Sequence, residues 1–117
     1  MRVGIIGAGR IGAIHADNLR RHSGVSGIVV TDADPSQSKQ VAASCGGETT
    51  PGSVELLQSV DAVVICTPAD MHVDLIESAV KYGVPALCEK PIAMNLADAD
   101  RAVAVVSEAD VDRKSVV

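Results

Sequence analysis

Val3-Gly4-Ile5-Ile6-Gly7-Ala8-Gly9-Arg10-Ile11-Gly12 is a short apolar run that feeds a glycine-rich turn and opens directly into a helical pattern. The spacing of Gly7, Gly9 and Gly12 predicts a phosphate-binding turn between a strand and a helix. Gly7 allows the tight turn out of the strand, Gly9 lets the backbone approach a pyrophosphate, and Gly12 lets the helix pack on the strand with no side chain between them. The N–H groups at the helix start, those of Arg10 and Ile11 among them, have no partner within the helix and face the anion. Three spaced glycines alone also describe an ordinary loop, so the context decides. Asp32 stands twenty positions past Gly12, after a second apolar run, Ile28-Val29-Val30-Thr31. That is where a dinucleotide fingerprint places the acid that accepts hydrogen bonds from the adenosine ribose. No arginine follows it. Asp34 adds a second negative charge that repels a 2′-phosphate, which favours NAD(H) over NADP(H). Lys39 is the nearby cation that softens this preference.

A length of 117 residues fits one domain, about half of a typical complete two-domain dehydrogenase. The sequence has no Phe or Trp and Tyr82 alone among aromatics, so its core must be aliphatic, as buried parallel strands usually are. Aromatic stacking platforms for single-stranded nucleic acid are missing. The net charge of −5 comes without a basic run, which argues against a nucleic-acid partner. No apolar run is long enough to cross a bilayer, and the glycine turn starts too near Met1 for a cleavable signal peptide; the expected location is the cytoplasm. Cys45, Cys66 and Cys88 are odd in number and lack metal-ligand spacing, so neither a disulfide framework nor a metal site is expected.

Along the chain, the first helix is expected over 10–21, stopped by Ser23-Gly24. His15 reads as a hydrogen-bonded helix histidine. Asp34-Pro35-Ser36-Gln37 predicts the next helix start, with Asp34 as N-cap and Gln37 completing a capping box. That helix should end near Gly46, followed by an edge strand over 48–50 and a short helix over 53–58. Ala62-Val63-Val64-Ile65-Cys66 predicts a central strand, Asp70 a cap for a helix over 71–81, and Val84 to Cys88 a further strand. Asn95 then caps a last helix, and Ser115-Val116-Val117 begins a sixth strand. This alternation implies an α/β fold: a Rossmann-type doubly wound parallel sheet in three layers, of order 3-2-1-4-5 with a sixth strand at the edge. Ligands on such a sheet sit at the carboxyl ends of the strands, where Gly9, Asp32, Thr67, Pro68, Glu89 and Lys90 all fall.

Taken together these residues resemble the glucose–fructose oxidoreductase and inositol dehydrogenase superfamily, the GFO/IDH/MocA family. The resemblance rests on the glycine turn, on Ala13-Ile14-His15-Ala16, on Cys66-Thr67-Pro68 with His72 four residues after the proline, and above all on Glu89-Lys90-Pro91. It implies that Thr67 and Pro68 line the cofactor and that Lys90, preceded by Glu89, lies beside the nicotinamide and the reacting carbon. His72 is implied either as a helix-start hydrogen bond or as a contact near the nicotinamide. The implied activity is NAD-dependent oxidation of a hydroxyl on a sugar, polyol or cyclitol. Chemistry also singles out Lys90, since hydride transfer from an alcohol needs a group that takes the hydroxyl proton or stabilises oxygen charge. The Lys90-Pro91 bond is a candidate cis peptide. Members of the family continue into a second α/β domain that covers the active site, dimerises, and supplies an aspartate and a histidine for substrate binding and proton transfer. A chain of this length is then expected to be the dinucleotide-binding part of a longer oxidoreductase, with a free-standing nucleotide-binding or redox-sensing module as the alternative.

Overall fold

Valine and isoleucine fill the central strands, which are covered on both faces, and the arrangement of the strands fixes where a ligand can sit. A computed structural model of the chain describes residues 1–88. The apolar run around Ile5 forms β1 (Arg2–Ile6), followed by α1 (Arg10–Arg20), β2 (Gly27–Thr31), α2 (Pro35–Cys45), β3 (Glu48–Thr49), α3 (Ser53–Leu57), β4 (Ala62–Ile65), α4 (His72–Lys81) and β5 (Ala86–Cys88). All pairings are parallel and the order is β3-β2-β1-β4-β5, as expected from the alternation of elements. The Glu89-Lys90-Pro91 tripeptide with its peptide bonds, the helix capped by Asn95 and the sixth strand lie outside the described residues.

Side chains alternate across the sheet. Ile5, Ile28 and Val30 pack with Ala16, Val41 and Ala42 of α1 and α2 on one face. Ile6, Val29, Val63 and Ile65 pack with Leu56, Leu57, Val73 and Ile76 of α3 and α4 on the other. Ile5, Val30, Leu56, Ile65 and Ile76 are wholly enclosed, each worth about 1.5–3 kcal/mol of transfer free energy before the entropy of ordering is charged. Gly4 belongs to this packing. A methyl group on it would run into the Leu56 side chain, so α3 sits directly on the backbone of β1.

Several boundaries differ from the sequence expectation for identifiable reasons. β5 starts at Ala86, not Val84, because the Val84 N–H closes the end of α4 onto Ala79 O at 2.9 Å and Pro85 has no N–H to give a ladder. Asp70 does not cap α4. It lies inside a single 3₁₀ turn, Ala69–Met71, that Pro68 begins by accepting the Met71 N–H at 3.0 Å. The capping box at α2 is half formed: Asp34 caps by accepting from the Ser36 N–H, but its own N–H goes to Asp32 Oδ1 at 2.8 Å, leaving nothing for Gln37 to accept. β4 ends at Ile65, although the Cys66 N–H still reaches Ile6 O at 2.7 Å.

Candidate functional site

β1 and β4 are neighbours whose following helices lie on opposite faces, so their carboxyl ends open a crevice at the reversal of strand order. The glycine turn sits on its β1 side. Gly7 has φ of +102°, a conformation side chains rarely adopt, and a Cβ there would lie 2.7 Å from the carbonyl carbon of Cys66 and 2.8 Å from Thr67 N. The two turns therefore touch backbone to backbone, which only glycine permits. A Cβ on Gly12 would strike the carbonyl oxygen of Gly7, so α1 starts directly on the turn. Gly9 differs from both: it is exposed, and a Cβ on it would meet nothing within 4 Å. The fold does not need glycine at that position, whereas a ligand approaching the backbone does.

Gly9 is also the N-cap of α1 and offers no side-chain cap. The first helical bond is Ala13 N–H to Gly9 O at 3.0 Å, so the N–H groups of Arg10, Ile11 and Gly12 have no acceptor within the helix. An uncapped helix start with an open approach suits an anionic oxygen, and the donor set fits a pyrophosphate.

Asp32 lies across the turn at the end of β2. Its Oδ2 accepts the Ala8 N–H at 2.6 Å and its Oδ1 accepts the Asp34 N–H at 2.8 Å. Beside it opens a cleft of about 360 Å³ lined by Asp32, Pro35, Ser38, Lys39, Thr50 and Pro51. Lys39 was legible as a neighbour of the acid. Ser38, Thr50 and Pro51 were not; the signal that finds Thr50 and Pro51 is that the end of β3 must lie beside the end of β2, and Thr31 Oγ1 does donate to Thr50 O at 3.0 Å. Asp34 does not line the cleft. Its carboxylate accepts the Ser36 hydroxyl at 2.7 Å and the Ser36 N–H at 3.0 Å, so of these two acids Asp32 is the one that lines the cleft.

The hydroxyl of Ser36, then its N–H, hold the Asp34 carboxyl below its ordinary value. The folded state thus binds this proton more weakly than the unfolded one. The cap's contribution is fully present above the ordinary carboxylate range and lost as pH falls through the lowered value. Asp34→Ala should lower the thermal midpoint at neutral pH, with the difference from the parent narrowing in acid. A gap that widens in acid would reverse the assignment.

On the β4 side, Thr67 is half-buried and Pro68 exposed at the rim. His72 is buried at 1 % exposure, and its Nε2 lies 2.7 Å from the carbonyl oxygen of Thr67. A carbonyl only accepts, so Nε2 carries the proton. Of the two roles expected for His72 the structure shows the helix-start hydrogen bond. Glu89 and Lys90 lie outside the described residues. Among the described residues no group of three metal-ligating side chains gathers, and no helix is long and apolar enough to cross a membrane.

The family described as "Oxidoreductase family, NAD-binding Rossmann fold" (GFO_IDH_MocA) matches residues 1–113. Inositol 2-dehydrogenase of Rhizobium meliloti is 38 % identical over 109 residues, covering 92 % of this chain and 33 % of the relative. UDP-N-acetylglucosamine 3-dehydrogenase of Acidithiobacillus ferrooxidans is 34 % identical over 108 residues, covering 92 % and 34 %. The crystal structure of scyllo-inositol dehydrogenase from Lactobacillus casei with bound NAD(H) and scyllo-inositol superposes with a TM-score of 0.84 at 27 % identity, over 93 % of this chain and 33 % of that one. The chain spans about a third of the length of the curated relatives it matches. Its glycine turn, its strand order and this match agree, and the chain belongs to the GFO/IDH/MocA oxidoreductase family through that family's NAD-binding Rossmann fold.

Proposed function

We propose that residues 1–117 form the dinucleotide-binding domain of an NAD-dependent oxidoreductase that moves hydride between the nicotinamide and a hydroxyl-bearing carbon of a sugar, polyol or cyclitol of the inositol type. The observation that carries this reading is the open, uncapped start of α1 at Gly9 facing a braced Asp32, in a chain of this family. The names of the relatives support the substrate class, since position 2 of an inositol and position 3 of an acetylglucosamine unit are both hydroxyl-bearing ring carbons.

In this reading Gly7, Gly9 and Gly12 shape the turn, and the N–H groups of Arg10 and Ile11 bind the pyrophosphate. Asp32 takes the ribose hydroxyls. Thr67 and Pro68 line the nicotinamide half, with His72 as a positioning residue that fixes the Thr67 carbonyl. NAD, when bound, supplies the hydride acceptor. Lys90, preceded by Glu89, lies where the resemblance implies, beside the nicotinamide and the reacting carbon, and there accepts the hydroxyl proton or stabilises the charge on the substrate oxygen. The protein works in the cytoplasm, with its cysteines reduced and no nucleic-acid or membrane partner, and assembles as a homo-oligomer.

The test is cofactor choice. NAD(H) should bind more tightly than NADP(H), because a carboxylate at the ribose repels a 2′-phosphate. Asp32→Ala should weaken NAD(H) and narrow the difference. Titrating both cofactors against both proteins decides it, and equal affinities in the parent would end the reading of Asp32.

A further inference from the structure

Asp32 is held more firmly than a ribose acceptor needs to be. Each of its two oxygens is already engaged by a backbone N–H: Ala8, inside the glycine turn, at 2.6 Å, and Asp34, at the start of α2, at 2.8 Å. The Gly7 N–H meanwhile reaches Thr31 O at 2.9 Å, so the turn is stitched to the end of β2 at two successive residues. Every carboxylate oxygen has two lone-pair sites, which leaves one on each oxygen for a ribose diol. Bracing the turn and accepting the diol are therefore compatible, and only a carboxylate does both. Asparagine has one accepting oxygen, and its amide would set a donor against one of the two N–H groups.

From this geometry we infer that Asp32 positions the pyrophosphate site as well as reading the ribose: it holds Ala8, and through Ala8 the turn that presents the N–H groups of Arg10 and Ile11. The proposal rests on the dinucleotide reading of the site. Without Asp32 the Ala8 N–H, part-buried, loses a charge-assisted partner and the turn relaxes to find another. The consequence runs against simple electrostatics. A carboxylate beside a pyrophosphate repels it, so by charge alone its removal should tighten binding of any diphosphate. As a brace, its removal should weaken binding even of a diphosphate with no ribose hydroxyls to read.

The probe is 2′,3′-dideoxyadenosine diphosphate, compared with adenosine diphosphate by calorimetry on the full chain. Asp32→Ala is expected to bind the dideoxy probe roughly tenfold or more weakly than the parent, the worth of one hydrogen bond to a charged group. Asp32→Asn, which keeps the volume and one acceptor, should fall between them and serves if the alanine variant does not fold. Asp34→Asn removes a nearby charge but keeps a good N-cap, and should bind the probe within about twofold of the parent. Amide exchange at Ala8 should be slow in the parent and faster in Asp32→Asn. A variant that loses adenosine diphosphate but binds the dideoxy probe as well as the parent, or better, overturns the brace and leaves the ribose role standing. A parent chain that binds neither diphosphate overturns the cofactor reading and the brace with it.

Discussion

Gly9→Ala should leave the fold within about 1 kcal/mol of the parent and remove most of its dinucleotide affinity. A methyl group at Gly9 meets no protein atom within 4 Å, and φ there is −80°, which any residue adopts. Replacing a glycine whose conformation alanine tolerates gains about 0.4–1 kcal/mol through the unfolded chain, and alanine's poorer fit at an N-cap offsets a similar amount, so the net change is small. The same methyl group stands where the backbone must come close to a pyrophosphate. Losing one or more hydrogen bonds to a charged oxygen, each worth about 1.5–3 kcal/mol, weakens binding roughly 10- to 100-fold. Gly12→Ala is the contrasting variant. Its Cβ drives into the Gly7 carbonyl, so α1 must shift, at a cost of about 1–3 kcal/mol or more in stability as well as the loss of the site. Thermal melting and NAD titration of the two variants separate the roles. Unchanged affinity in Gly9→Ala would show that no ligand uses that approach.

That contrast marks what the sequence alone reveals and what it hides. The parallel order, the switch point and the fingerprint residues were legible because each depends on local spacing: apolar runs of strand length, three glycines and an acid after the second strand. The separate tasks of Gly7, Gly9 and Gly12 were legible from the same spacing; the contacts that enforce them were not, because they depend on what lies above each one. Gly4, outside the fingerprint, carries a packing requirement set by Leu56, more than fifty residues away. The half-formed capping box has the same origin. Locally Gln37 suits the N–H of Asp34, but the glycine turn and α2 both converge on Asp32, which takes that N–H first. Asp70 has a capping residue's chemistry and lost its place because Pro68 starts a 3₁₀ turn one step earlier. The helix-start hydrogen bond of His72 was one of its two expected roles, while its burial and its choice of the Thr67 carbonyl follow from how α4 sits on the sheet.

The chain as it stands should bind NAD without turning over a sugar or polyol at a measurable rate. In the proposed site the pyrophosphate and ribose contacts come from the glycine turn and Asp32, all within residues 1–88. Chemistry asks for more: the hydroxyl-bearing carbon held in near-attack geometry, and a group that takes its proton. The chain spans about a third of the relatives' length, and the resemblance assigns substrate positioning, an aspartate and a histidine to a second domain. Positioning alone is worth roughly 7–11 kcal/mol of barrier, far more than Lys90 could restore by steadying charge on an oxygen that nothing else holds. The check is to incubate the purified chain with NAD and a panel that includes myo-inositol, scyllo-inositol and glucose, following reduced cofactor by absorbance, with calorimetry in parallel to confirm that NAD binds. Binding without turnover is the expected result. Steady turnover that disappears in Lys90→Ala would show that these 117 residues hold a complete catalytic site.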